Sequence, residues 1–183
     1  MDNLLPVVYL SILLTLLASA GWAIFRQVLK TRKIETSISR LQNKLNKEKG
    51  TAEEYYELGS IYLEKKLFSQ AVIQLQKALK SPDLEGEENT ALIYNALGYA
   101  YFAQEQYDLS IRHYKEALKL SPNYVTALNN IGHAYERKQL MAQALESYEA
   151  VLQLEPESLT AKRRAEALRK RLIPTAASAE NEG

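Results

Sequence analysis

The chain has 183 residues, with 23 Lys and Arg against 22 Asp and Glu, and its formal net charge of +1 argues against a dedicated nucleic-acid binder. It has no cysteine, which excludes disulfides, thiolate metal sites and cysteine nucleophiles. Two histidines, His113 and His133, are too few for a multi-histidine metal site. The near-neutral total hides a pattern: residues 1–50 carry +5, residues 51–156 carry −6 and residues 157–183 carry +2. Such asymmetry speaks of partners and surfaces, not of fold.

A short tip at 1–3 precedes an uncharged apolar span at 4–25. As a helix the span would measure roughly 33 Å, against a bilayer hydrocarbon core of about 30 Å. Pro6 stands near its start, where a helix tolerates proline, and Trp22 near its end, where an indole suits the membrane interface. Ala18-Ser19-Ala20 resembles a leader cleavage site. However, Met1-Asp2-Asn3 lacks Lys and Arg, and the apolar run continues past the Ala-Ser-Ala site, so a transmembrane helix is favoured over a cleaved leader. Arg26, Lys30, Arg32 and Lys33 follow the span. Cations stay on the cytoplasmic side, which puts the remainder of the chain in the cytoplasm or the equivalent stroma.

Residues 26–50 read as a basic helical stalk. Ile34, Ile38, Leu41 and Leu45 form one stripe at helical spacing, among eight Lys and Arg. The stalk has three readings: contact with anionic headgroups, pairing with a second copy, or packing on the first repeat with its charges solvated. A helix continuing from the span is favoured; homodimerisation is not, because the stripe covers too few heptads. Gly50 is expected to end the helix as its C′ residue.

Next come three similar units, at 51–82, 91–122 and 123–156. They share Leu58-Gly59-x-x-Tyr62, Leu97-Gly98-x-x-Tyr101 and Ile131-Gly132-x-x-Tyr135. Twelve residues after each glycine stands a small residue (Ala71, Ser110, Ala144), and sixteen after it a large one (Leu75, Tyr114, Tyr148). Pro82, Pro122 and Pro156 close the units. Gly98 and Gly132 are 34 residues apart, the period of a helix-turn-helix solenoid repeat. The fold class is therefore all-α, an α-solenoid of three helix pairs. Thr51-Ala52-Glu53-Glu54 has the spacing of a capping box. The small residues allow paired helices to approach closely. Gly59 and Gly98 are 39 residues apart, and the excess falls in the acidic stretch 81–90, read as a longer surface loop. Residues 157–173 read as a basic capping helix with an apolar stripe of Ala161, Ala165, Leu168 and Leu172. Residues 174–183 read as a disordered tail.

These units resemble the tetratricopeptide repeat family on Gly59, Gly98 and Gly132, Tyr62, Tyr101 and Tyr135, Ala78 and Ala117, and the closing prolines. The family's usual tryptophan is replaced by Tyr55, Tyr94 and Leu128. The whole arrangement of span, stalk and three repeats resembles the small membrane-anchored repeat proteins that assist assembly of photosystem I. That resemblance implies a thylakoid location and photosystem I subunits or assembly intermediates as partners. A general membrane adaptor for protein targeting, translocation or another assembly pathway fits the same features.

The family resemblance also implies a concave groove lined by the first helix of each pair. Its groove positions here are Tyr56, Ser60, Leu63 and Glu64; Asn95, Tyr99, Phe102 and Ala103; and Asn129, His133, Glu136 and Arg137. Asn95 and Asn129 occupy equivalent positions suited to the backbone of an extended ligand. Repeat domains of this family that hold chaperone C-terminal carboxylates use Lys, Asn, Asn, Lys and Arg at positions filled here by Tyr56, Ser60, Ala96, Thr126 and Asn130; four of the five have no equivalent and none is cationic. No glycine-rich phosphate loop, paired-histidine motif or nucleophile elbow occurs. The expectation is a binder, not an enzyme, with no catalytic residue, metal or cofactor.

Overall fold

The computed structural model describes residues 4–172; the expected tip at 1–3 and tail at 174–183 lie outside them. The described residues form eight helices and no strand. The chain divides into two units, Met1–Lys49 and Gly50–Gly183.

The first unit is one helix, α1 (Leu4–Lys47), of 44 residues. Span and stalk are thus continuous. The span exposes apolar side chains all round, among them Leu10, Leu13, Leu17, Trp22 and Phe25, and it is long and apolar enough to cross a membrane. Its hydroxyls are satisfied within the helix: Ser11 donates to Val8 O, Thr15 to Ile12 O and Ser19 to Leu16 O, each at 2.8 Å. Such back-bonding removes polar donors from an apolar surface. Gly50 is not the C′ residue expected of it. The helix stops at Lys47, and among the described glycines only Gly86 has positive φ.

The second unit contains α2 (Ala52–Glu64), α3 (Phe68–Leu79), α4 (Glu87–Ala103), α5 (Tyr107–Leu120), α6 (Val125–Arg137), α7 (Met141–Leu154) and α8 (Leu159–Leu172). Sequential helices pack in antiparallel pairs, α2 with α3, α4 with α5 and α6 with α7, and α8 lies on α7. Thr51 and Glu54 complete the capping box, with both reciprocal bonds at 3.2 Å. The glycines set the spacing within each pair. A Cβ at Gly98 would lie 2.5 Å from Tyr114 Cδ1, one at Gly132 2.9 Å from Tyr148 Cε1, and one at Gly59 2.8 Å from Leu75 Cγ. The large residue sixteen positions on therefore lies directly over its glycine, and Leu75, Tyr114 and Tyr148 are fully buried there.

The turn inside each pair ends on the motif tyrosine. The N–H groups of Leu67, Gln106 and Leu140 donate to the carbonyls of Tyr62, Tyr101 and Tyr135 at 2.8, 2.9 and 2.9 Å. Lys66, Glu105 and Gln139 take φ of 59°, 60° and 60° to allow it, a left-handed conformation that costs a non-glycine residue about 1–2 kcal/mol. The stretch 81–90 is not all loop. Its last residues add a turn to α4, which has 17 residues against 13 in α2 and α6. Gly86, at φ 83°, starts that turn. The core continues into the cap, where Ala161, Ala165 and Leu168 are buried with Tyr148 and Val151. Leu172, expected in the cap's stripe, is exposed at 42 %.

Candidate functional site

The groove positions of α2, α4 and α6 fall into two groups. Near the first two repeats they keep accessible surface. Tyr56, Ser60 and Leu63 are half-buried, and Glu64 is exposed. Tyr99 is 44 % exposed, its ring edge-on to Phe68 at 6.4 Å. Phe102 is half-buried and meets Tyr107 edge-on at 5.5 Å. Aromatic side chains held in this way offer contact area at low entropic cost.

In the third repeat the groove positions serve the fold. Glu136 accepts from Tyr148 OH at 2.7 Å and from Arg164 of α8 at 2.8 Å. Burial, and then the bond to Glu136, push the Tyr148 hydroxyl far above its ordinary pKa, so it remains a donor. The His133 ring packs edge-on to Tyr148 at 5.9 Å. Burial, followed by nearby Arg164, lowers the His133 pKa against the opposing pull of Glu136, keeping the imidazole neutral. Arg137 lies over the Tyr107 ring at 5.0 Å and 3.5 Å from Glu105.

The two asparagines are not equivalent in space. Asn95 donates to Tyr124 OH at 3.2 Å and accepts from Asn130 at 3.0 Å. Asn129 donates to Val125 O in its own helix at 3.2 Å, and its Oδ1 is buried without a partner. Reading the backbone of a ligand with this pair, as the sequence led us to expect, would require breaking those bonds. Asn95 is taken by Tyr124, which precedes α6 and has no counterpart in the other repeats. Burial and the neighbouring Tyr56 raise its hydroxyl pKa, while Asn95 acts in the opposite direction. Tyr124 thus ties the groove faces of the second and third repeats together. Tyr124 was missed because the amide its hydroxyl accepts from, Asn95, is 29 residues away. Leu92, 39 % exposed on α4, was also missed; the only signal was an apolar residue where the third repeat has Thr126.

The basic face of α8 is partly spoken for. Lys162 pairs with Glu157, Arg164 with Glu136 and Arg169 with Glu149, at 3.2, 2.8 and 2.7 Å. Arg163, Lys170 and Arg171 are exposed.

Family models described as TPR repeat and tetratricopeptide repeat match residues 98–139, and residues 52–82 and 125–158, respectively. The ycf37 protein of Cyanophora paradoxa is 39% identical over 127 residues, covering 69% of this chain and 73% of that one. The chloroplastic tetratricopeptide repeat domain-containing protein PYG7 of Arabidopsis thaliana is 37% identical over 119 residues, covering 65% of this chain and 39% of that one. The crystal structure of MamA superposes with a TM-score of 0.70 at 21% identity, covering 78% of this chain and 80% of that one, a likeness of fold. Helix pairs, glycine-tyrosine spacing and relatives agree: the chain belongs to the tetratricopeptide repeat family of protein-interaction scaffolds.

Proposed function

We propose that the chain is a membrane-tethered docking scaffold that assists assembly or stability of photosystem I. In this reading it is not an enzyme. It holds subunits or intermediates against the groove of its repeat stack, at the stromal or cytoplasmic face of the thylakoid. The observation that carries the reading is the accessible surface kept by Tyr56, Leu63 and Tyr99 at groove positions of the first two repeats, where the third repeat's positions serve the fold. The uncharged span of α1 supports a tether, and the chloroplastic name of one relative supports a plastid-type membrane. The assembly role rests on the resemblance of the whole arrangement to assembly proteins of that complex.

The groove also argues against chaperone tails as cargo. Ala96 is buried and Asn130 is bonded to Asn95, so two of the five positions for a carboxylate clamp offer nothing to a carboxylate. Deletion of the gene in a phototroph, followed by measurement of photosystem I against photosystem II, tests the proposal. The expected result is a selective fall in photosystem I; an unchanged ratio under several light regimes overturns it. Affinity purification from detergent extracts separates this reading from a general adaptor, which would bring down targeting or translocation components instead.

A further inference from the structure

We propose that the loop after α3, together with the starts of α2 and α4, forms a docking pocket for a polypeptide segment whose apolar side chain is flanked by lysine or arginine. This inference rests on reading the stack as a protein-docking scaffold, and it specifies the chemistry of the segment that docks.

An open cleft of about 550 Å³ lies between these elements, a size that accommodates one or two large side chains with their backbone. Tyr56, Leu84 and Leu92 provide its apolar surface, and Leu92 is 39 % exposed among the described residues. Glu53 and Glu85 stand on its rim, Asp83 forms part of its wall, and no lysine or arginine lines it. Both ingredients trace to the sequence. The 39-residue spacing between Gly59 and Gly98 exceeds the 34 between Gly98 and Gly132, and the surplus includes the segment that builds the wall.

The wall is fixed in place. Asp83 accepts from the Ala52 N–H through both carboxylate oxygens, at 3.0 and 3.2 Å, and from Ser81 OH at 2.6 Å. The Ser81 bond, then the Ala52 bond, hold its carboxyl below the ordinary carboxylate range, so Asp83 is charged at neutral pH. The same bonds remove the obvious alternative ligand at α2, and the uncapped first turn of α4 carries Glu87 and Glu88, which disfavour an anion there. A helix N-terminus attracts anions through free N–H groups. At α2 those of Ala52 and Glu54 are already taken by Asp83 and Thr51. What remains is apolar surface ringed by negative charge, and its complement is a basic segment with an apolar anchor.

The test uses the full chain in detergent and two fluorescent eight-residue peptides. One is acetyl-Gly-Lys-Arg-Leu-Phe-Lys-Arg-Gly-amide; its twin has glutamate at every lysine and arginine. The expected result is that the basic peptide binds at least about tenfold tighter than the twin at low salt. The Glu53→Gln/Glu85→Gln double variant and Leu92→Asp should each weaken that binding by about tenfold, with helical content unchanged by circular dichroism, and Glu166→Gln on α8 should not. Equal binding of the two peptides, or undiminished binding by the double variant, overturns the proposal. Its failure is distinguishable from failure of the assembly reading. If the pocket variants lose the peptide while deletion of the gene leaves photosystem I unchanged, docking stands and the assembly role falls. If deletion lowers photosystem I and the pocket variants both keep the peptide and restore the complex, only the pocket falls.

Discussion

The first and third repeats obey one sequence rule and put it to different uses. Both have the glycine, the tyrosine three residues later and the small residue twelve later. In the third, the groove positions Glu136 and Arg137 are spent on Tyr148, Arg164, Tyr107 and Glu105. In the first, the matching positions are Leu63 and Glu64, the one half-buried and the other exposed. The difference comes from neighbours. The third repeat is followed by α8, whose cations meet the acidic face of the stack. The first is followed by an extended connection that opens a cleft. Repeat position thus sets geometry, while the adjoining element decides whether a polar side chain is structural or available.

The largest expected effect lies in the glycines. Valine at Gly132 must displace Tyr148, whose hydroxyl is bonded to Glu136 and whose ring is fully buried. Gly132→Val should cost about 3 kcal/mol of stability, the upper range for overpacking. Gly59→Val should cost about half as much, because Leu75 can change rotamer where the tied tyrosine cannot. Equal losses in urea titrations would remove the asymmetry proposed between the two ends.

Glu136→Ala comes next. It leaves the Tyr148 hydroxyl and Arg164 without their acceptor, and should cost about 2 kcal/mol in the same titration. Alanine at Glu64, exposed on α2, should change stability by less than about 0.5 kcal/mol. A matching loss at both sites would mean that the fold uses the groove side chains of the first repeat as fully as those of the third.

The smallest effect is in pH. Burial lowers the pKa of both histidines, with Arg112 acting in the same direction on His113 and Arg164 on His133. The unfolded chain therefore binds more protons as pH drops through the ordinary imidazole value near 6.5. Stability is full above that value and falls on acidification. Both groups belong to the second and third repeats, so the Tm should fall between pH 7.5 and 5.5, and the His113→Gln/His133→Gln double variant should flatten that slope. An unaltered slope would show that the histidines do not cause the acid loss in this window.

Much of this architecture is written locally. A capping box needs only Thr51 and Glu54, a helix pair only its glycine, small residue and tyrosine, so short-range spacing reveals them. The continuous α1 follows equally from an apolar run leading into a helical stripe. What the sequence conceals is every decision made across repeats. Asn95 looks like a free amide until Tyr124 and Asn130, 29 and 35 residues away, take its donor and acceptor. Asp83 looks like loop solvation until it is seen to cap Ala52, 31 residues earlier. Gly86 gave no warning that it would start an added turn of α4. Its φ of 83° is set by a connection whose conformation depends on both helices it joins.

Site-directed photo-crosslinking in native membranes tests most directly whether the two ends differ in availability. A benzophenone amino acid at Leu92, in the open end, is set against one at His133, in the closed end. The expected result is adducts at Leu92 to a partner polypeptide, through a segment rich in lysine or arginine, and little adduct at His133. Equal yields, or adducts at His133 alone, would contradict a difference between the open and closed ends.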